Sequence, residues 1–260
     1  MLPISDENPT LRPPVVTYAL LATLVAVFVL FQGAGGIGGP ESLYRQLASV
    51  CDWGMVPAEL LHTKPVGFSV PMAPGLYCNV DNEARNVLTP LTGMFLHGGW
   101  AHLLGNCLYL WVFGNNVEDS MGRGRFLAFY LICGLAAAAA HVVIEPGSPV
   151  PTVGASGAIS GVLGGYLLLY PRVRVRTYFP PIFLFHVPAW FVLVFWFAGQ
   201  VLTGLPQLSR MRPDVSAGVA VWAHIGGFVA GLALVKLFAS PRRVAARTEA
   251  GEAQAAYGAA

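Results

Sequence analysis

Six long apolar runs decide where this chain can fold. They cover residues 15–32, 88–114, 126–144, 152–170, 181–205 and 219–239. At ~1.5 Å of rise per residue, such runs match the ~30 Å of hydrocarbon that a membrane-spanning helix must cross. Only 11% of the 260 residues are charged, against about a quarter in a soluble domain, too few to cover a water-facing surface. The expected fold class is therefore all-α: a polytopic membrane protein, with one six-transmembrane-helix bundle over residues 15–240. Residues 1–14 read as a short cytoplasmic segment, 33–87 as a long outer loop, and 241–260 as a mobile cytoplasmic tail. The first run lacks a basic stretch before a short core and a small-residue cleavage site, so it reads as an uncleaved span.

The net charge of +2, scattered over loops, argues against a nucleic-acid partner and leaves the lipid bilayer as the first partner. Orientation follows from Lys and Arg beside the spans. With the N-terminus inside, the cytoplasmic flanks hold Arg12, Arg123, Arg125, Arg172, Arg174, Arg176, Arg242, Arg243 and Arg247. The outer side holds Arg45, Lys64, Arg85, Arg210 and Arg212, and the loop at 145–151 has no Lys or Arg. Both termini are thus expected in the cytoplasm. The excess of Arg over Lys, with abundant Ala and Gly, points to a GC-rich bacterial genome and an inner (plasma) membrane.

Polar side chains are expensive inside a bilayer, so their positions carry information. The second run contains "HGGWAHLLGN", with His97, His102 and Asn106; the fourth opens "VGASGAISG", with Ser156 and Ser160; the sixth opens "VWAHIGGFVAG", with His224. Under N-in topology all three runs enter from outside. Ser156 and His224 then lie ~6–8 Å below the outer boundary. His102 and Asn106 share a helical face and reach that depth if their helix begins near Gly98 and Gly99. Gly157, Gly161 and Gly165 recur every four residues, as do Gly227 and Gly231, and such stripes let helix backbones approach closely. If the stripes face each other, Ser156 comes within reach of His224.

Each residue taken alone has a plain explanation. A transmembrane Ser commonly bonds back to a carbonyl one turn earlier, and glycine stripes serve packing. A transporter would carry an internal repeat and an acidic ion site, neither of which the sequence has. His97 and His102 are five residues apart, not the four that align two metal ligands on one helical face, so no metal is expected. Together, however, a hydroxyl, an imidazole and nearby donors make a nucleophile, a base and an oxyanion site, with no buried carboxylate to complete a triad.

At this point the sequence resembles the rhomboid family of intramembrane serine proteases. "HGGWAHLLGN", the G-x-S-G of "GASG" and "AHIGGFVAG" come in the family's order, and "GNNVEDSMGRGRF" adds Glu118, Gly122 and Gly124. The resemblance implies a six-helix rhomboid-like bundle, with Ser156 as nucleophile and His224 as general base. His102, Asn106 and the Ser156 backbone would hold the oxyanion, and Gly154 and Gly157 would keep the space around the serine open. It implies cleavage of transmembrane segments of other membrane proteins near the outer boundary, without metal or cofactor. The alternative is a catalytically silent relative that binds transmembrane helices. Where some members carry an aromatic ring four residues after the serine, this chain has Ser160. Orientation of His224 then falls to other groups, with Trp222 and Phe228 as candidates. The Trp-Arg pair of some members is matched only loosely by Tyr44–Arg45. Cys51 and Cys78 lie in the outer loop, where a disulfide and two free thiols are both admissible. The fifth run, with "WFVLVFWF" at 190–197 and Pro181 and Pro188 before it, is a candidate lateral gate.

Overall fold

The structure, a computed structural model, describes residues 2–179, 181, 183–208 and 220–258. Residue 219, at the start of the sixth run, and Arg210 and Arg212 of the charge count lie outside the described residues. The chain is mostly helical, and its long helices lie in the order α1 (Val15–Ala26, continued as a π-turn over Val27–Phe31), α7 (Arg123–Ile144), α8 (Ser156–Leu169), α9 (Ala189–Leu208), α10 (Val221–Phe238) and α11 (Pro241–Gly258). Between α1 and α7 come α2 (Pro40–Trp53), α3 (Pro57–Leu60), α4 (Thr89–Thr92), α5 (Trp100–Tyr109) and α6 (Asn115–Met121), with a π-turn at Leu110–Gly114 joining the last two. Among the described residues two helices, α7 and α10, are long and apolar enough to cross a membrane by themselves, while Val15–Phe31, Ser156–Leu169 and Ala189–Leu205 are shorter apolar helices. Their outward faces carry Leu30, Val143, Trp190, Phe195, Leu202 and Leu237, all exposed, which water would not tolerate on this scale.

Several boundaries differ from the hydropathy reading. The second run is not one helix: Ala84–Phe95 fold as short turns around Pro90 and Gly93, and the regular helix begins only at Trp100, after the glycine pair. The fourth run is extended up to Ala155, so Ser156 opens α8 instead of lying one turn inside it. That leaves α8 only 14 residues long. The fifth helix starts at Ala189, not at 181. The preceding residues form a hairpin, β4 (Arg174–Phe179) and β5 (Phe183–Pro188), because its alternating Arg, Val, Thr, Tyr and Phe suit a strand. The chain is therefore not purely α-helical.

The N-terminal segment is more than a short polar lead. β1 (Leu2–Asp6) adds antiparallel to β4, giving a three-stranded sheet in the order β1-β4-β5. A second hairpin, β2 (Ser69–Ala73) with β3 (Leu76–Asn79), follows α3, and its Cys78 is joined by a disulfide to Cys51 of α2, with Cα atoms 5.2 Å apart. The C-terminal segment, expected to be mobile, is helix α11, and its Arg247 is buried. The guanidinium reaches Asn8 Oδ1 at 2.7 Å, the Asn116 carbonyl at 2.9 Å and Asp119 at 3.6 Å, and lies over the Tyr170 ring at 4.7 Å. Arg12 and the Leu11 amide also bond Asp119, so both termini are tied to α6.

Glu118 supplies the cap that α1 cannot make for itself, since Pro14 at the helix entrance has no capping side chain. Its carboxylate accepts from the amides of Val16 and Thr17 at 3.0 and 2.7 Å and from Thr17 Oγ1 at 2.8 Å. A carboxylate at a helix N-terminus satisfies orphan amides and opposes the helix dipole. Glu118→Ala is expected to cost about 2–3 kcal/mol by leaving these buried donors bare, measurable as a lowered unfolding midpoint in detergent.

Asp6 makes the same end of the bundle pH-sensitive. Its carboxylate accepts from Tyr166 Oη at 2.5 Å and Asn116 Nδ2 at 2.7 Å. Burial outweighs the Tyr166 bond and the nearby Arg247 charge, raising its pKa to about 6. The folded chain therefore holds this proton more tightly than the unfolded chain does. The group weakens folding as pH climbs from about 4 and has its full effect above about 6. Asp6→Asn should lose that slope, so thermal unfolding at a series of pH values should favour the variant increasingly as pH rises.

Candidate active site

The site forms where four helices converge: α5 brings His102 and Asn106, α8 begins with Ser156, α10 brings His224, and α9 lies alongside. Glycine sets the spacing. A Cβ added at Gly227 would lie 2.0 Å from the Gly157 carbonyl oxygen, and one at Gly231 would lie 2.0 Å from that of Gly161. The α8 and α10 stripes thus touch backbone to backbone, in register. On its other side α8 meets α7, where a Cβ at Gly161 would lie 2.3 Å from Cys133 Cβ. Gly165 faces Phe129 and Val235. Only hydrogen-sized side chains permit this stack.

The extended strand before α8 is held by its own ladder. Met55 and Thr152 exchange backbone hydrogen bonds at 3.0 and 2.8 Å, and the Gly154 amide donates to the Gly93 carbonyl at 2.8 Å. Thr152 Oγ1 also bonds His141 Nε2 at 3.0 Å. Gly154 has φ +123°, a conformation that side chains rarely adopt, and a Cβ there would lie 2.6 Å from His102 Nε2. The strand can therefore pass directly beneath the imidazole only because residue 154 is glycine.

At the opening of α8, Ser156 Oγ and His224 Nε2 lie 2.7 Å apart, a hydrogen bond that Ser156 donates when the ring is neutral at Nε2. His102 Nδ1 accepts from the Gly98 amide at 3.4 Å, so its proton sits on Nε2, the nitrogen above Gly154. Asn106 is buried, and its Nδ2 has no hydrogen-bond partner among the described residues. Ser156, His224, His102 and Asn106 all line one cavity of about 590 Å³, together with Met94 and Trp196. The arrangement offers a hydroxyl next to a base and, across the same space, two unspent N–H donors.

His97 stands apart from this group. It is fully buried, packs edge-to-face on His102 with ring centroids 5.2 Å apart, and holds its turn through its backbone: Gln32 Oε1 accepts from its amide at 2.8 Å. Its carbonyl accepts from Gln32 and Gln46, each at 3.1 Å.

Ser160 does not approach the histidine, because its Oγ donates to the Ser156 carbonyl at 2.6 Å. Trp222 lies against Gly204, and Phe228 packs on Trp196 and Phe197. The ring is flanked instead by two residues of α9 that sequence reasoning did not single out. Trp196 lies tilted over it at 5.8 Å, and Gln200 Oε1 accepts from His224 Nδ1 at 2.8 Å. A Trp and a Gln four residues apart on one apolar helix share a face, and that spacing was the available signal.

A helical bundle with membrane-length apolar helices and a serine hydrogen-bonded to a histidine inside it defines a narrow class of integral membrane protein. Comparison with known sequences gives the class its name: the Rhomboid domain matches residues 84–241, and the chain belongs to the rhomboid family. Over 166 residues it is 34% identical to the "Rhomboid protease GluP" of Bacillus subtilis, covering 64% of this chain and 26% of that protein. Over 160 residues it is 34% identical to the "Rhomboid-like protease 5" of Toxoplasma gondii, covering 58% and 16%. A mitochondrial "Presenilin-associated rhomboid-like protein" of Bos taurus is 28% identical over 162 residues, covering 58% and 39%. The chain thus spans well under half the length of each of these relatives.

Proposed function

We propose that this chain is a serine endopeptidase that cleaves transmembrane segments of other membrane proteins by a Ser156–His224 dyad. The observation that carries the reading is the 2.7 Å contact between Ser156 Oγ and His224 Nε2, facing a cavity that also holds Asn106 Nδ2, unpaired among the described residues. Membership of the rhomboid family and the likeness to a bacterial protease support it.

In this mechanism His224 Nε2 takes the hydroxyl proton as Ser156 Oγ bonds to the scissile carbonyl carbon. The charge that develops on the carbonyl oxygen meets the Ser156 backbone amide, His102 Nε2–H and Asn106 Nδ2–H. His224 then protonates the departing amine, and the C–N bond breaks to leave an acyl-enzyme. Water, deprotonated by the same imidazole, attacks the ester and regenerates Ser156. No metal or cofactor takes part. The substrate helix must unwind locally first, because a helix hides its own carbonyls in hydrogen bonds. Small residues at the cut and helix-weakening residues nearby suit that requirement.

The same reading assigns six spans: α1, α5 with its continuation through α6, α7, α8, α9 and α10. Both termini lie in the cytoplasm of a bacterial inner membrane, in line with the basic residues near the chain ends and on β4. The cavity then opens toward the outer boundary. The test is labelling by a fluorophosphonate in detergent or liposomes. The wild-type chain should acquire the probe and Ser156→Ala should not; equal labelling of both would defeat the proposal, as would a wild-type chain that the probe leaves untouched.

A further inference from the structure

His224 needs more than proximity to act as a base. Its proton must sit on Nδ1, so that Nε2 presents a lone pair to Ser156. A free imidazole chooses between two tautomers, and the hydrogen bond made by the other nitrogen decides which one forms. Serine proteases commonly assign that task to a buried carboxylate, but among the described residues no carboxylate bonds the ring. A lone carboxylate at this depth would be costly to ionise. Gln200 Oε1 occupies the place instead, 2.8 Å from His224 Nδ1.

We propose that Gln200 is the positioning residue of this site. Its carbonyl oxygen accepts the Nδ1 proton of His224, fixes the ring in the tautomer that can deprotonate Ser156, and does so without bringing a charge into the bilayer. The inference rests on the proposed protease reading.

Gln200 is held in place by its own helix. One turn earlier Trp196 lies against the same imidazole at 5.8 Å, and Phe197 stacks on Phe228 of α10 at 4.5 Å. α9 therefore grips α10 through aromatic contacts, and the amide follows from that seating. Because the acceptor comes from α9 and not from α8 or α10, the imidazole is aligned only while α9 stays docked. A substrate that displaces α9 to enter would loosen the base, and alignment would return as α9 closes behind it.

Two kinds of measurement decide the matter. Nitrogen-15 shifts of His224 in the intact wild-type protein should show a protonated Nδ1 and an unprotonated Nε2; the reverse pattern overturns the proposal without any variant. Gln200→Leu keeps the size and removes the acceptor. Phosphonylation by the fluorophosphonate, which releases fluoride, and the kcat for a transmembrane substrate should both fall about 10- to 100-fold, with KM within about twofold and an unchanged unfolding midpoint. The histidine shifts should move toward the other tautomer. Gln200→Glu, which retains an oxygen in the same place, should recover most of the rate. Wild-type rates in Gln200→Leu overturn the positioning role, as does equal loss in both variants with the tautomer unaltered. Those outcomes leave the protease reading intact, whereas failure of the wild-type chain to react with the fluorophosphonate at all defeats that reading itself.

Discussion

Ser156→Ala and His224→Ala are each expected to lower cleavage of a reconstituted transmembrane substrate by about 10⁴-fold or more, to the level of the uncatalysed background. Members of a catalytic unit fail together, so the double variant should be no worse than either single one. The fold should survive. Among the described residues the Ser156 hydroxyl bonds only His224, and the start of α8 is pinned independently by Ser160 Oγ on the Ser156 carbonyl and by the Met55–Thr152 bridge. Asn106→Ala should be milder, about 10²- to 10³-fold, as for loss of one oxyanion donor. Turnover of a transmembrane substrate in liposomes, followed alongside the unfolding midpoint, separates chemistry from folding. Cleavage at wild-type rates by both single variants would remove the dyad from consideration.

The second large effect lies in the packing that makes the site possible. Gly231→Val should cost about 3 kcal/mol or more, the upper end of overpacking penalties. The obstacle is the Gly161 backbone, 2.0 Å from the new Cβ, and not a side chain that can swing aside. Relief requires α10 to back away from α8, and that movement carries His224 off Ser156. Activity should therefore vanish together with stability, in contrast to Ser156→Ala. Gly124→Ala is the control: a Cβ there meets nothing within 4 Å, so no loss is expected. Unfolding midpoints and probe labelling of the three variants test the scheme, which fails if Gly231→Val folds and labels normally.

Much of this arrangement was legible beforehand, and the limits have physical causes. Apolar runs mark where chain can reside in lipid, but they do not distinguish helix from extended backbone. That is why the strand before Ser156 and the turns before Trp100 read as parts of spans. Strand β5 was merged into the fifth run because it is nearly as apolar as the helix that follows, and β4 lay unread in the connection before it. The glycine stripes announced two close-packing helices through their period, yet a period gives no azimuth; that Gly227 sits on Gly157 and Gly231 on Gly161 needed coordinates. The termini hid their partners best. Asn8 and Arg247 belong to terminal segments that look like ordinary solvated ends and Asp119 to a connection between two spans, and only folding gathers them around one guanidinium. Gln200 escaped notice because its spacing from Trp196 marks a shared helix face but does not say which helix that face meets.

The shortness of α8 has a consequence for the chemistry. Its 14 residues reach about 21 Å, roughly 9 Å less than the hydrocarbon slab, and the missing turns are replaced by extended chain lining a cavity. Hydrolysis consumes one solvent molecule per bond cut, a reagent that oil excludes. On the proposed protease reading, the truncated helix acts as a well shaft, sunk from the outer surface to Ser156, through which the second reactant arrives while the surrounding longer helices keep lipid out.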